Sequence, residues 1–212
     1  HVDCNSFFVS CERLKSPELV KEAVIVGGRS SDSPRSVVTS ASYDVREYGV
    51  HAGMPLFQAK KLCPHAHFLP NDHDYYREVS DKLYKILKQF SDNVEMASID
   101  EAYVDLTGLD EVWGDDYLSM LHQIEKTITT VLQIPISLGL ADNKVTAKIA
   151  AGIKKPGITI VPSDETRAFL AHLAIEDFPG MGHVTVRQLH QAGVKTIGDL
   201  QLWTCNEMVH FF

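Results

Sequence analysis

The sequence lacks any long hydrophobic run, and its few cysteines are scattered. No stretch approaches the roughly 18 apolar residues that a membrane-spanning helix needs. The cysteine spacing gives no disulfide framework, which argues against a small disulfide-stapled secreted module and predicts a reducing, intracellular setting. One cysteine has histidines nearby in the sequence, but the spacing of Cys63 with His65, His67 and His73 matches no zinc module. The cysteines are Cys4, Cys11, Cys63 and Cys205.

The sequence also lacks an excess of basic residues. Its 20 Lys and Arg residues face 28 Asp and Glu residues, which gives a formal net charge of −8. This charge counts against a general nucleic-acid binder. A P-loop pattern is absent from the sequence, which excludes an ATPase of that class. The 212 residues, 44% of them hydrophobic, suffice for one large globular domain or two small ones.

An acidic pair lies inside an apolar segment. Asp100 and Glu101 interrupt residues 94–106, which otherwise have the pattern of two β-strands. Ionised carboxylates are costly there unless something offsets their charge. Because side chains alternate along a strand, the two acids can face one site only if the chain turns sharply at them. The pattern predicts a divalent metal site, and the alternative is an exposed hairpin tip, where Asp is common.

The order of the predicted elements supplies a third carboxylate. With residues 6–71 set aside as an insertion, the order is β-α-β-β-α-β, which predicts an α+β, ferredoxin-like fold. In that fold the first and third strands are neighbours, so Asp3 lies beside Asp100 and Glu101. This topology favours an acidic cluster over a hairpin tip. The predicted elements are strand 2–5, helix 73–91, strand 94–99, strand 101–107, helix 115–132 and strand 134–140.

Three clustered carboxylates suit phosphate chemistry. At about 4 Å they repel by roughly 4 kcal/mol per pair at an effective dielectric near 20, so cations must neutralise them. Mg²⁺ prefers such oxygen ligands, and two ions can activate an attacking hydroxyl and stabilise a leaving oxygen. The predicted reaction is therefore phosphoryl or nucleotidyl transfer. Tyr43 and Arg46 fall on one face of a short helix where Arg46 can grip phosphate, although a solvated surface role fits equally.

A glycine-rich turn lies between two predicted helices near the C-terminal end. Such a turn is typical of a helix-hairpin-helix, in which backbone N–H groups approach a DNA phosphate without reading the base sequence. The turn consists of Pro179, Gly180, Met181 and Gly182.

Six stretches in this order resemble the Y-family DNA polymerases, most closely the DinB-type (DNA polymerase IV) branch, which performs translesion synthesis. The resemblance extends through nearly the whole chain. The stretches are VDCNSFF (2–8), SYDVR (42–46), GVHAGMP (49–55), SIDEAY (98–103), NK with AK (143–148) and KP (155–156).

The resemblance implies a domain layout and a set of partners. Residues 1–6 and 73–162 would form the palm, residues 7–72 the fingers, and residues 163–212 an incomplete helix-hairpin-helix thumb. The family's little-finger domain is absent from this sequence, so we expect a piece of a longer protein. The implied partners are primer-template DNA, an incoming dNTP and a sliding clamp bound through segments outside this chain, with no membrane. The implied location is the cytoplasm, at the nucleoid in a bacterium.

The resemblance also assigns residue roles. Two Mg²⁺ ions would be bound by Asp3, Asp100, Glu101 and the backbone carbonyl of Cys4. Phe8 would be the steric gate, a ring that leaves no room for a ribose 2′-hydroxyl. The residues implied to contact the nucleotide are Phe7, Phe8, Ser40, Tyr43, Arg46 and Lys155.

The sequence departs from the family at two points. Asn5 stands where many relatives carry Asp, and the missing little-finger domain is typically basic, which accounts for the charge of −8. Two alternatives are a catalytically silent DNA-binding relative and another two-metal enzyme, such as a nucleotide cyclase. The presence of every expected metal and phosphate residue opposes the first, and the helix-hairpin-helix with the Phe7-Phe8 pair opposes the second.

Overall fold

The computed structural model describes residues 1–28, 36–109 and 116–212. Its strands are β1 (Val2–Cys4), β2 (Val24–Gly27), β3 (Val38–Ala41), β4 (His67–Leu69), β5 (Val94–Met96), β6 (Glu101–Val104), β7 (Ile136–Leu140) and β8 (Gly157–Ile160). Its helices are α1 (Phe7–Lys15), α2 (Tyr43–Arg46), α3 (Leu56–Leu62), α4 (His73–Leu87), α5 (Tyr117–Leu132), α6 (Lys144–Ile153), α7 (Thr166–Ala171), α8 (His183–Gln191), α9 (Ile197–Leu200) and α10 (Cys205–Phe211). None of the helices within these ranges is long and apolar enough to cross a membrane.

The larger sheet has the strand order β5-β6-β1-β7-β8, and the smaller sheet has the order β3-β2-β4. The first four strands of the larger sheet confirm the ferredoxin-like prediction, because β1 lies beside β6. Strand β5 pairs antiparallel with β6, with Glu95 opposite Tyr103. Strand β8 pairs in parallel with β7 and extends the sheet beyond the ferredoxin-like four.

Residues 3–136 form one compact unit. Its two long helices, α4 and α5, pack against each other, and each begins at an aspartate. Asp72 accepts a hydrogen bond from the Tyr75 amide at 3.2 Å, and Asp116 accepts one from the Ser119 amide at 2.9 Å. These side chains satisfy amide groups that a helix leaves unpaired at its start.

The buried face of α4 follows the predicted helical periodicity. In α5 the spacing predicts one apolar face formed by Tyr117, Leu121, Ile124, Ile128 and Val131, and the structure buries the middle three but exposes Tyr117 and Val131. In α4 the buried residues include Val79 and Leu83, and in α5 they include Ile128. Val131 has the predicted spacing but is 61% exposed, whereas Leu132 is buried. At 3.6 residues per turn, a four-residue step from Ile128 continues the buried stripe, and a three-residue step turns away from it.

The same unit contains the smaller sheet with its own hydrophobic core. Strand β2 lies between β3, to which it is antiparallel, and β4, to which it is parallel. Apolar side chains of α2 and α3, including Val45 and Leu56, pack with Ile25 and Val38 of the sheet. A Cβ added at Gly27 would lie 2.4 Å from the Val37 carbonyl oxygen, so only glycine fits this close approach.

Residues 1–2 and 137–212 form the second compact unit. Its C-terminal helices enclose a core that includes Ile175, Leu189 and Ile197. A capping box begins α9, where the Asp199 amide donates to the Thr196 hydroxyl at 3.1 Å and the Asp199 carboxylate accepts from the Thr196 amide at 2.8 Å. The palm, fingers and thumb boundaries remain predictions.

Candidate active site

The acidic corner lies where β1 ends and β6 begins. The backbone amide of Cys4 donates a hydrogen bond to the backbone carbonyl of Asp100 at 2.9 Å. Asp3 is the residue before Cys4 on β1, and Glu101 is the first residue of β6. Asp3, Asp100 and Glu101 are all half-buried. The structure therefore brings the two distant acidic segments together, as the topology predicted.

Ser98 shapes the sharp turn at the acids. The amides of Ala97 and Ser98 donate to the Glu101 carbonyl at 2.9 and 3.2 Å, which closes the turn. The Ser98 hydroxyl accepts from the amides of Asp100 and Glu101 and donates to the Asp100 carboxylate. Sequence reasoning gave Ser98 no role, although a serine two residues before an aspartate is typical of such side-chain turns.

The carboxylates at this corner share one electrostatic environment. Burial raises the pKa of Asp100, and the charges of Glu101 and Asp3 raise it further, while the Ser98 hydrogen bond opposes the change. Burial, with the charges of Asp100 and Asp3, also raises the pKa of the Cys4 thiol above its usual range. Hard divalent cations prefer oxygen ligands to sulfur, so the carbonyl oxygen is the Cys4 group that suits Mg²⁺.

Within residues 1–28, 36–109 and 116–212, no three His, Cys, Asp or Glu side chains lie close enough to hold a metal ion as they stand. The same finding covers Cys63 and its neighbouring histidines, which gives a zinc site no support. The three acids interact electrostatically without forming a closed cage. Carboxylate and carbonyl oxygens nevertheless match the ligand preference of a hard divalent cation, which would draw the side chains together.

The buried side chain at position 5 lies next to this corner. Asn5 is only 1% exposed, and its backbone N–H donates to the backbone carbonyl of Pro135 at 2.9 Å. The backbone carbonyl of Asn5 accepts a hydrogen bond from the Ser10 hydroxyl at 2.9 Å. A neutral amide tolerates this burial at a lower cost than an ionised Asp would.

Arg46 is held in place by two hydrogen bonds and an aromatic ring. Its Nε donates to the Ala41 carbonyl at 2.9 Å, and its Nη2 donates to the Ser6 hydroxyl at 3.0 Å. The guanidinium lies 4.6 Å from the ring centroid of Tyr43, a cation–π distance. Ser6 follows Asn5 directly, so this contact joins Arg46 of α2 to the segment that carries Asp3. Ser40, on β3, is buried.

Phe7 and Phe8 begin α1, immediately after the acidic strand. Phe7 is buried, which leaves only its backbone for a nucleotide to contact, whereas the Phe8 ring is half-buried. The two rings meet edge to face with their centroids 5.5 Å apart. The sequence prediction that Phe8 reaches the nucleotide therefore requires its exposed side.

The remaining predicted residues lie in the second unit. Lys155 is exposed in the loop after α6, and its triphosphate role stays a prediction. The glycine-rich turn lies between a 3₁₀ helix, Ile175–Asp177, and α8. Gly180 has a φ of +89°, and a Cβ there would meet open space, so the turn could approach a phosphate closely.

Comparison with known families matches residues 2–152 to the impB/mucB/samB family and residues 163–194 to the IMS family HHH motif. A DNA polymerase IV of Dehalococcoides mccartyi is 45% identical over 201 residues, which are 94% of this chain and 51% of that protein. A DNA polymerase IV of Listeria monocytogenes is 39% identical over 206 residues, which are 96% of this chain and 57% of that protein. The chain thus spans about half the length of the curated relatives it matches.

Solved structures show the same likeness. The crystal structure of DinB from Sulfolobus solfataricus matches with a TM-score of 0.90 and 32% identity, over 99% of this chain and 61% of that one. An insertion ternary complex of Dbh DNA polymerase matches with a TM-score of 0.89 and 30% identity, over 99% of this chain and 62% of that one. With one family model matching residues 2–152 of 212, the chain belongs to the impB/mucB/samB family, and it is similar over nearly its whole length to Y-family, DinB-type polymerases of known structure.

Proposed function

We propose that the protein is a template-directed DNA polymerase for translesion synthesis, which transfers the nucleotidyl group of a dNTP to a primer 3′-hydroxyl. The observation that carries the proposal is the Cys4–Asp100 hydrogen bond of 2.9 Å, since it fixes Asp3 beside the Asp100-Glu101 turn. The names of the relatives, DNA polymerase IV and DinB, support the same reaction.

Asp3, Asp100, Glu101 and the Cys4 carbonyl would hold a pair of Mg²⁺ ions. When bound, such ions lower the pKa of an attacking hydroxyl and neutralise charge on the transferred phosphate. The chain's own contribution is to place the acids on two neighbouring strands. The hydrogen bonds of the Ser98 hydroxyl, to the Asp100 carboxylate and from the Glu101 amide, hold the turn that carries both acids.

Tyr43, Arg46 and Lys155 would bind the triphosphate of the incoming nucleotide, with Ser40 nearby. Arg46 is oriented before any ligand arrives, because Ala41 and Ser6 accept its hydrogen bonds. Less side-chain entropy is then lost on binding. Phe8 would press against the sugar as the steric gate and select deoxynucleotides.

The glycine-rich turn would bind primer-template DNA through its backbone amides. The open space at Gly180 and Gly182 would let a phosphate approach without contacting a side chain. A sliding clamp would be bound through segments outside this chain, and the working location would be the cytoplasm, at the nucleoid in a bacterium.

The proposal is tested by primer extension with Asp100→Asn. We expect incorporation to fall more than about a hundredfold, the loss seen even for residues that only support a metal ligand. The melting temperature should not fall, because Asn can still accept the Ser98 hydrogen bond and removes a charge that is costly to bury. Asp105→Asn, on an exposed carboxylate at the end of the same hairpin, should retain activity. Normal extension by Asp100→Asn would overturn the proposal.

A further inference from the structure

The half-buried ring of Phe8 rests against Tyr76 of α4. The two ring centroids are 5.0 Å apart, and the ring planes cross at 75°. This edge-to-face geometry is the favourable one for aromatic pairs. Tyr76 also contacts Phe7, with 6.4 Å between centroids, and Tyr76 is itself fully buried. The ring of Tyr76 therefore forms the wall behind Phe8.

The hydroxyl of Tyr76 is anchored to a buried carboxylate. It donates a hydrogen bond to Glu12 Oε1 at 2.7 Å, and Glu12 is only 6% exposed. Glu12 lies one turn after Phe8 on α1, so the same helix carries the gate ring and the anchor. A hydrogen bond to a carboxylate is stronger than a neutral one, and burial strengthens it further.

The charge of the buried carboxylate is balanced from the solvent side. Lys15 Nζ lies 3.3 Å from Glu12 and 2.7 Å from Asp72, the residue that caps α4. This ion pair offsets part of the cost of burying Glu12. The C-terminal half of α1, through Glu12 and Lys15, is thus joined to the start of α4, where Tyr76 packs against the Phe8 ring.

A steric gate works only if its ring cannot move away from the sugar. A 2′-hydroxyl adds one oxygen, so a small rotation of the Phe8 ring would make room for it. Among the residues that the structure describes, Phe8 contacts the aromatic rings of Phe7 and Tyr76. Of these two rings, only that of Tyr76 carries a hydroxyl, which its hydrogen bond to Glu12 holds in place. Selectivity at such a site depends on neighbours that lock the contacting side chain.

We propose that Tyr76 and Glu12 are positioning residues that hold the Phe8 ring in place and so set the discrimination against ribonucleotides. This inference rests on the proposed function, in which Phe8 is the steric gate. Tyr76 and Glu12 act through Phe8 and do not touch the nucleotide.

The test measures kcat/KM for a dNTP and for the rNTP with the same base, and takes their ratio. Affinity for the primer-template cancels in this ratio. We expect Tyr76→Phe and Glu12→Ala each to lower the ratio about three- to tenfold, as the loss of one buried hydrogen bond would. Glu12→Gln, which can still accept from the Tyr76 hydroxyl, should keep most of the parent ratio, in contrast to Glu12→Ala.

The matched control is Asp72→Asn, which removes a charge from the same network but can still cap α4. It should lower the melting temperature slightly and leave the ratio unchanged. If Glu12→Ala does not fold, Tyr76→Phe still decides the question, because its ring is retained.

The outcomes separate the two levels of the proposal. If Phe8→Ala loses discrimination while Tyr76→Phe and Glu12→Ala keep the parent ratio at a lowered melting temperature, the positioning role alone is wrong. If Phe8→Ala also keeps the ratio, the gate assignment and this inference both fall, although polymerase activity stands. A protein that incorporates no nucleotide at all overturns both the inference and the proposed function.

Discussion

The amide of Cys4 and the carbonyl of Asp100 are joined across two neighbouring strands by a hydrogen bond of 2.9 Å. These residues are 96 positions apart in the sequence, and the bond fixes the end of β1 against the turn before β6. The Arg46–Ser6 contact, at 3.0 Å, brings Arg46 of α2 to the same segment. Residues 3–6 thus contact both the Asp100-Glu101 turn and the arginine that we propose binds phosphate.

Phe8→Ala should admit ribonucleotides. Removing the ring opens space where the sugar would lie, so the dNTP-to-rNTP ratio of kcat/KM should fall at least about tenfold, since shape alone rejects one added hydroxyl there. Single-nucleotide incorporation with matched bases measures the ratio. Phe57→Ala, at a 52% exposed phenylalanine of α3, is the control and should keep the parent ratio. Unchanged discrimination in Phe8→Ala would show that another residue is the gate.

Local sequence patterns predicted the fold because the deciding signals are short in range. The helical spacing after Asp72 predicted α4, and the two apolar runs around Asp100 predicted β5 and β6. Strand β5 is shorter than predicted because residues 97–100 form the turn, and β6 ends at Val104, after which the Asp105 carboxylate accepts hydrogen bonds from Thr107. Val131 was predicted to be buried but is exposed, because helical spacing allows both three- and four-residue steps and does not select between Val131 and Leu132.

The supporting contacts of the site could not be predicted from sequence. Glu12 has the appearance of a solvated residue on an amphipathic helix, and Tyr76 that of an ordinary core aromatic. Their 2.7 Å hydrogen bond joins residues 64 positions apart, so the spacing of residues within one helix or strand cannot reveal it. The Ser6–Arg46 bond could not be predicted for the same reason, whereas the residues predicted to touch metal or phosphate lie within the family motifs.

Arg46→Lys should weaken nucleotide binding more than it slows the reaction. Lysine carries the charge but cannot donate to the Ala41 carbonyl and the Ser6 hydroxyl in the same fixed geometry. We expect the KM for the dNTP to rise about tenfold, and kcat to change less. Steady-state primer extension measures both constants, with Arg77→Lys on the exposed surface of α4 as the control.

Ser6→Gly is the finer test of how Arg46 is oriented. Ser6 has a φ of +46°, which glycine adopts without strain, so this variant removes the hydroxyl and leaves the backbone in place. The KM for the dNTP should rise about two- to threefold. A KM equal to the parent value would mean that the Ser6 contact does not orient the guanidinium.

Gly180→Ala and Gly182→Ala should differ in stability but agree in DNA binding. The φ of +89° at Gly180 costs an alanine about 1 kcal/mol or more, whereas Gly182, with φ −75°, has no such cost. At both positions an added methyl group would meet open space, and in the proposed DNA complex it would hinder a phosphate that approaches the backbone. Melting temperature should fall only for Gly180→Ala, and fluorescence anisotropy with primer-template DNA should show weaker binding for both. Parent-like DNA affinity in Gly182→Ala would remove the turn from the DNA contact.

The capping box at α9 should make the C-terminal helices sensitive to acid. The amides of Lys195 and Thr196 donate to the Asp199 carboxylate at 2.9 and 2.8 Å, and these bonds lower the pKa of Asp199 below its usual value. Because the folded pKa is the lower one, the contribution to stability is complete above the unfolded pKa of about 3.9 and is lost as the pH falls through the folded pKa.

Asp199→Ala should therefore lower the melting temperature by a few degrees at neutral pH and show a smaller further loss than the parent as the pH drops below about 4. Thermal unfolding followed by circular dichroism across roughly pH 2.5 to 7 measures both effects. Asp164→Ala, at an exposed carboxylate before α7, is the control and should follow the parent curve. If the parent and Asp199→Ala curves stay parallel at acid pH, the carboxylate does not stabilise the helix start through its charge.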